Sequence, residues 1–256
     1  ADSAARVTPP APTGNTPATR PTRVVVLDAG HGGVDPGKPG PNRLMEKTAA
    51  LAVANKLAGF LRERGYEVHL TRKSDTLIAL ADRPHRANVW KANRPAAVFV
   101  SLHANSGVRA ARGFETYFLS AARTDDERRV AEMENAAVQY ENGPSSAAAP
   151  ELDQILSGLK NDFYLRASNS LAELIQNSLA TVHPGPNRGV KQAAFRVLVG
   201  AVMPAVLVEM AFISNPEEAR LLGTSAFQQK IAYSVAQAID RFFETHQHLL
   251  TTGPGQ

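Results

Sequence analysis

Two histidines in this 256-residue chain stand in settings that suit chemistry. His31 follows the apolar run Val24–Leu27 within LDAGHGG, and its neighbours Gly30, Gly32 and Gly33 permit close backbone approach and unusual dihedrals. His103 closes a second apolar run, in VSLHAN. Two runs that each release an imidazole at the carboxyl end could place both rings on one rim of a sheet. Glu46 opens the next helical pattern, where the helix dipole alone would favour a carboxylate. Glu209 interrupts the otherwise apolar MPAVLVEMAFISN; a buried carboxylate there needs a metal, a base or a hydrogen-bond network, or else a salt bridge. Two neutral imidazoles and one carboxylate make a His₂Glu set, suited to one catalytic zinc ion with an open fourth position. Such an ion lowers the pKa of bound water to about 7 and polarises a carbonyl. Glu209 could then carry the proton from the attacking water to a leaving amine.

The chain has no cysteine, so any metal must be held by His, Asp or Glu. No H-E-x-x-H helix is present. The glycine loop lacks both G-x-G-x-x-G and a Lys-Ser/Thr pair, and prolines break it, which argues against a nucleotide site. His69, His85, His183, His246 and His248 have no comparable placement and read as surface or core residues.

The elements that must position these groups alternate. Strands are expected at Val24–Leu27, Glu67–Thr71, Ala97–Leu102, Phe114–Leu119, Phe195–Val199 and Ala205–Val208. Helices are expected over 46–64, ending at Gly65, over 76–92, around Leu171–Val182, from Pro216 with Ser214 or Asn215 as cap, and over 225–246. The order predicts an α/β fold, a single three-layer α/β/α domain with a mostly parallel central sheet, spanning 23–248. Residues 121–168 break the alternation. A charged helical stretch at 123–141, the loop Asn142–Pro150 and a helical segment Leu152–Leu165 read as a helical, regulatory insertion.

Residues 1–22 are rich in Pro, Ala and Thr and read as a disordered tail or linker, with an anchoring or wall-binding domain expected upstream; 249–256 read as a flexible C-terminus. The chain opens on Ala1 with no signal-peptide pattern, as a processed or excised chain would. No apolar run approaches the ~18 residues of a membrane span. The net charge is +4, and residues 1–23 supply +2 of it through Arg6, Arg20 and Arg23 against Asp2. The remainder holds no dense basic stripe, so nucleic-acid and polyanion binding are not expected.

The chain resembles the zinc-dependent N-acetylmuramoyl-L-alanine amidases. The matching segments are VVLDAGHGG with Glu46-Lys47, Leu70-Thr71-Arg72, FVSLHAN, GFETYFLS, NRGVKQAAFRVL and MPAVLVEMAFISNPEE, which run in order through residues 24–245. The resemblance implies zinc on His31, Glu46 and His103, and Glu209 as the catalytic glutamate. It also implies cleavage of the amide between N-acetylmuramic acid and L-alanine of the peptidoglycan stem peptide, in the periplasm or cell wall, during wall remodelling or daughter-cell separation. Asn105, where some relatives carry Asp, becomes a substrate-pocket residue. The 121–168 insertion resembles one in divisome-associated members, where a helix blocks the zinc site until an activator protein displaces it; Glu134 and Glu141 are the acids expected to reach the metal. A monomer is expected. The competing readings are a zinc carboxypeptidase-like enzyme and a non-catalytic wall-binding module, the latter disfavoured because all four site residues are present.

Overall fold

A computed structural model describes residues 23–94, 96–141 and 162–246. Among these residues six strands form one sheet, in the order β2-β1-β3-β6-β4-β5. They are β1 (Val24–Ala29), β2 (Glu67–Leu70), β3 (Ala97–Asn105), β4 (Phe114–Leu119), β5 (Asn187–Ala193) and β6 (Ala205–Phe212). All neighbouring pairs are parallel except β4 with β6. The pair β4–β5 therefore runs opposite to the other four strands.

The central strands are buried at every position because both faces are covered, and they are apolar except at Asp28, Ser101, His103, Asn105 and Glu209 toward their carboxyl ends. Val25, Leu27, Val98, Val100, Val206 and Val208 join a core with α1 (Glu46–Glu63), α4 (Asp162–Leu179), α5 (Pro216–Leu222) and α6 (Ser225–Thr245). Val24, Val26, Phe99, Tyr117 and Leu207 face the opposite way, onto α2 (Asp82–Lys91) and α3 (Asp125–Asn135). The result is the expected three-layer α/β/α arrangement with a mostly parallel sheet. His103, Glu209 and Glu115 share the α3-facing side, in register across β3, β6 and β4. Reversal of β4 is what brings Glu115, near its start, beside Glu209, near the end of β6.

Several boundaries differ from the sequence expectation. The helix expected over 76–92 begins only at Asp82. The preceding residues serve as hydrogen-bond partners instead: Asp75 accepts from Gly33 N–H, and the Ser74 and Ile78 carbonyls accept from Arg72 and Arg83. Phe195–Val199 is not a strand, because Arg196–Leu198 is a 3-10 turn buried under the second core. The strand is the more polar Asn187–Ala193, whose position at the sheet edge leaves part of it exposed. The stretch 123–141 forms α3, capped by a Thr124–Glu127 capping box, and the 3-10 turn Ala136–Tyr140. Residues 162–165 open α4; the rest of the expected 152–165 helix lies outside the described residues, as do the 142–150 loop, the 1–22 tail and 249–256. Asn215 caps α5, accepting from the Glu217 and Glu218 amides.

Candidate metal centre

The loop after β1 is built to aim His31. His31 itself sits at φ 60°, in the left-handed region that side chains rarely adopt. Two buried arginines hold it there. Arg72 donates to the Ala29 and Gly30 carbonyls (2.9 and 2.8 Å), and Arg83 donates to the Ala29 and His31 carbonyls (2.9 and 3.1 Å). Arg83 is paired in turn with Asp28 at 2.9 Å, which also accepts from Thr71 and Ser101. Burial would raise the Asp28 carboxyl, but Arg83 and the two hydroxyls outweigh it and hold Asp28 below its ordinary range. Asp35 accepts from Gly37 N–H at 3.0 Å and lies 2.7 Å from His31 Nδ1, leaving Nε2 to face inward. At Gly30 any Cβ would meet the His103 ring at 2.4 Å, and at Gly37 one would strike Glu46 and His31 at 2.7 Å. These two glycines make room for the site.

The side chains then converge. His31 Nε2 lies 3.1 Å from Glu46 Oε2 and 3.2 Å from Glu134 Oε2, while His103 Nδ1 lies 3.2 Å from Glu46 Oε1 and 2.8 Å from Glu134 Oε2. One donor atom from each of the four lies within 4.8 Å of all the others. Glu46 is anchored by the Lys38 and Ala104 amides, each at 2.9 Å. By contrast His31 Nε2 and both Glu134 oxygens are buried close together without hydrogen-bond geometry to any partner among the described residues. Lone pairs aimed at a common point, in a set of imidazoles and carboxylates, fit a divalent cation such as zinc. The electrostatics agree. Burial disfavours imidazolium, yet the facing carboxylates overcome it: they raise His31 well above the usual histidine range and His103 to about 9. The pocket thus demands positive charge, which protons or a cation can provide.

Glu209 is fully buried beside this cluster, and neither of its oxygens has a hydrogen-bond partner among the described residues. Burial and the nearby charges of Glu134, Glu46 and Glu115 push its carboxyl well above the ordinary glutamate range. Asn105 donates to Glu115 at 3.3 Å, whereas its own carbonyl oxygen is buried without a partner. Glu134 arrives from α3, which lies across this face. The cavity left over His31 and His103 is about 10 Å³, room for one water. Glu141 is not part of the cluster; its carboxylate accepts from Leu80 N–H at 2.7 Å, where the chain leaves the 3-10 turn. The sequence alone does not single out Asp28, Asp35, Arg83 or Glu115. The i, i+4 spacing of His31 and Asp35 was the only local signal among them.

A family model described as N-acetylmuramoyl-L-alanine amidase matches residues 25–241. The chain is 38% identical over 224 residues to the N-acetylmuramoyl-L-alanine amidase AmiA of Escherichia coli K12, covering 86% of this chain and 76% of that protein. It is 34% identical to the amidase AmiC of Neisseria meningitidis serogroup B, over 87% of this chain and 53% of that one. The crystal structure of an N-acetylmuramoyl-L-alanine amidase from Clostridium difficile 630 superposes with a TM-score of 0.66 at 25% identity, over 88% of this chain and 99% of that one.

Proposed function

The chain belongs to the N-acetylmuramoyl-L-alanine amidase family, and from that membership we propose that it is a zinc-dependent peptidoglycan amidase held in a covered state by α3. The reaction is hydrolysis of the amide joining the lactyl group of N-acetylmuramic acid to L-alanine of the stem peptide. The observation that carries the reading is the convergence of His31, Glu46, His103 and Glu134 beside an unpartnered, buried Glu209. His31, Glu46 and His103 would hold the ion permanently, and Glu134 would hold it only while α3 is docked. Zinc, when bound, activates water near neutral pH and polarises the scissile carbonyl. Glu209 takes the proton of the attacking water and delivers it to the departing L-alanine nitrogen. Its proton affinity, raised by burial and by the neighbouring carboxylates, suits a group that must hold the proton between the two halves of that transfer. The unpartnered Asn105 carbonyl oxygen would accept a hydrogen bond from substrate.

The 10 Å³ cavity admits neither sugar nor peptide, so substrate entry requires α3 to leave. We assign that displacement to an activator protein and place the enzyme in the periplasm or cell wall, acting in wall remodelling or daughter-cell separation. Residues 23–248 would form the catalytic domain, with 121–168 as its regulatory insertion. End-group analysis of digested peptidoglycan tests the reaction: new L-alanine amino termini are expected. Release of a terminal amino acid instead would establish a carboxypeptidase. Glu134→Ala tests the cover: hydrolysis of purified peptidoglycan should rise several-fold, and unchanged or lower activity with intact zinc content would refute it.

A further inference from the structure

The rim of the site continues beyond Glu209 in a way the amidase chemistry has not used. Glu115, fully buried on β4, is gripped by Tyr117 Oη at 2.5 Å, Asn105 Nδ2 at 3.3 Å, Lys191 Nζ at 3.1 Å and Arg188 Nε. The two cations come from β5, two strands from Glu209 and so about 10 Å away at ordinary strand spacing. Their aim is fixed on the aromatic side too: Arg188 lies 5.0 Å over the Phe212 ring and Lys191 5.9 Å over Tyr117. Glu115 neutralises one of these two positive charges. The second is met by Asp126 of α3, whose Oδ2 lies 2.9 Å from Lys191 Nζ and 3.6 Å from Arg188 Nη2.

The same helix therefore sets one carboxylate, Glu134, in the candidate metal centre and another, Asp126, on the cation pair. Eight residues of helix separate them by ~12 Å. Three to four residues of extended peptide span about that distance. A peptidoglycan stem continues from L-alanine into D-glutamate, linked through its side chain so that its α-carboxylate stays free, and then into a third residue.

We propose that Arg188 and Lys191 form a carboxylate-binding subsite for the stem peptide, and that Asp126 occupies it in the covered state. This rests on the amidase reading above. When α3 departs, the pair keeps Glu115 on its inner side and presents one uncompensated positive charge outward. An acidic stem is thereby favoured over one whose carboxylates are amidated, and each docked stem opposes the return of α3.

The test is calorimetric binding of the stem tripeptide L-alanyl-γ-D-glutamyl-diaminopimelate and of its carboxamide counterpart. The titrated proteins are the full chain, Asp126→Asn, Asp126→Asn with Lys191→Met, and Asp126→Asn with Lys191→Arg. D126N should bind the acidic peptide about fivefold more tightly than the unaltered chain, with the gain shrinking in high salt. K191M should erase the gain, K191R should retain it, and the carboxamide peptide should respond to none of these changes. Equal binding of the two peptides to D126N, no detectable binding, or K191M and K191R behaving alike with native thermal melting would overturn the subsite. The two readings separate cleanly. Carboxylate-dependent binding without cleavage of muramyl peptides by D126N would remove the amidase reading and leave the subsite. Cleavage indifferent to amidation would do the reverse.

Discussion

At the scale of single residues the site divides into groups that touch the reaction and groups that aim them. Glu209 belongs to the first kind under the proposed mechanism. Glu209→Gln should lower kcat by about 10²- to 10⁴-fold, the usual worth of a positioned acid–base group, with zinc content unchanged by elemental analysis. A loss of zinc in that variant would instead make Glu209 a ligand. Gly30 belongs to the second kind. Gly30→Ala should displace the His103 ring, which a Cβ would meet at 2.4 Å, and weaken zinc retention at least tenfold in a chelator competition. His31, His103 and Glu209 could be picked from the sequence because each breaks a pattern, a ring or a charge at the end of an apolar run, whereas Glu46 stands where a helix start alone would favour a carboxylate and joined them through the family resemblance. Asp35, Arg83 and Glu115 could not. Arg83 works through backbone carbonyls, which have no sequence signature, and Glu115 meets Arg188 and Lys191 only through the long-range parallel pairing of β4 with β5.

Among the elements, the end of β1 is where stability and function meet. Asp28 is buried with Arg83, Thr71 and Ser101 around it, tying β1 to β2, β3 and α2. Asp28→Asn leaves Arg83 buried without its counter-charge and should cost about 3–5 kcal/mol in chemical denaturation. A cost below about 1 kcal/mol would mean that the pair is dispensable. The helix α3 is the opposite case. Its sequence, charged and short of large apolar residues, is compatible with a solvated helix, and yet it buries Val130, Ala131 and Glu134 over the site. Periodicity located it; only the fold brings its inner face onto the candidate metal ligands. The edge strand β5 escaped recognition for a related reason. A polar strand in contact with solvent carries little alternation to read, while the apolar Phe195–Leu198 beside it packs as a turn.

Over the whole molecule, residues far apart in the chain, from 28 to 209, are drawn to one rim because four parallel strands end there and two reversed strands begin there. Alternation of strands and helices made the layers and the mostly parallel sheet legible beforehand, but not the reversal of β4 and β5, since no local pattern encodes the direction of a strand. Zinc bound by groups from β3, α1, α3 and the loop after β1 would link four separate parts of the chain. Removing it with a chelator should abolish hydrolysis and lower the unfolding temperature, and zinc should restore both. An unchanged melting curve would exclude zinc from the resting fold.

Under the proposed reading Glu134 would make the cover a participant in the ion's own coordination, and reciprocity follows. Whatever factor the ion adds to the persistence of the closed form, closure must add to the retention of the ion. The resting protein would then be a store that guards its metal against scavenging, and each activation would expose that metal to competitors. Chelator stripping rates, faster in Glu134→Ala than in the unaltered chain, would measure how much of the catalyst's supply depends on its being switched off.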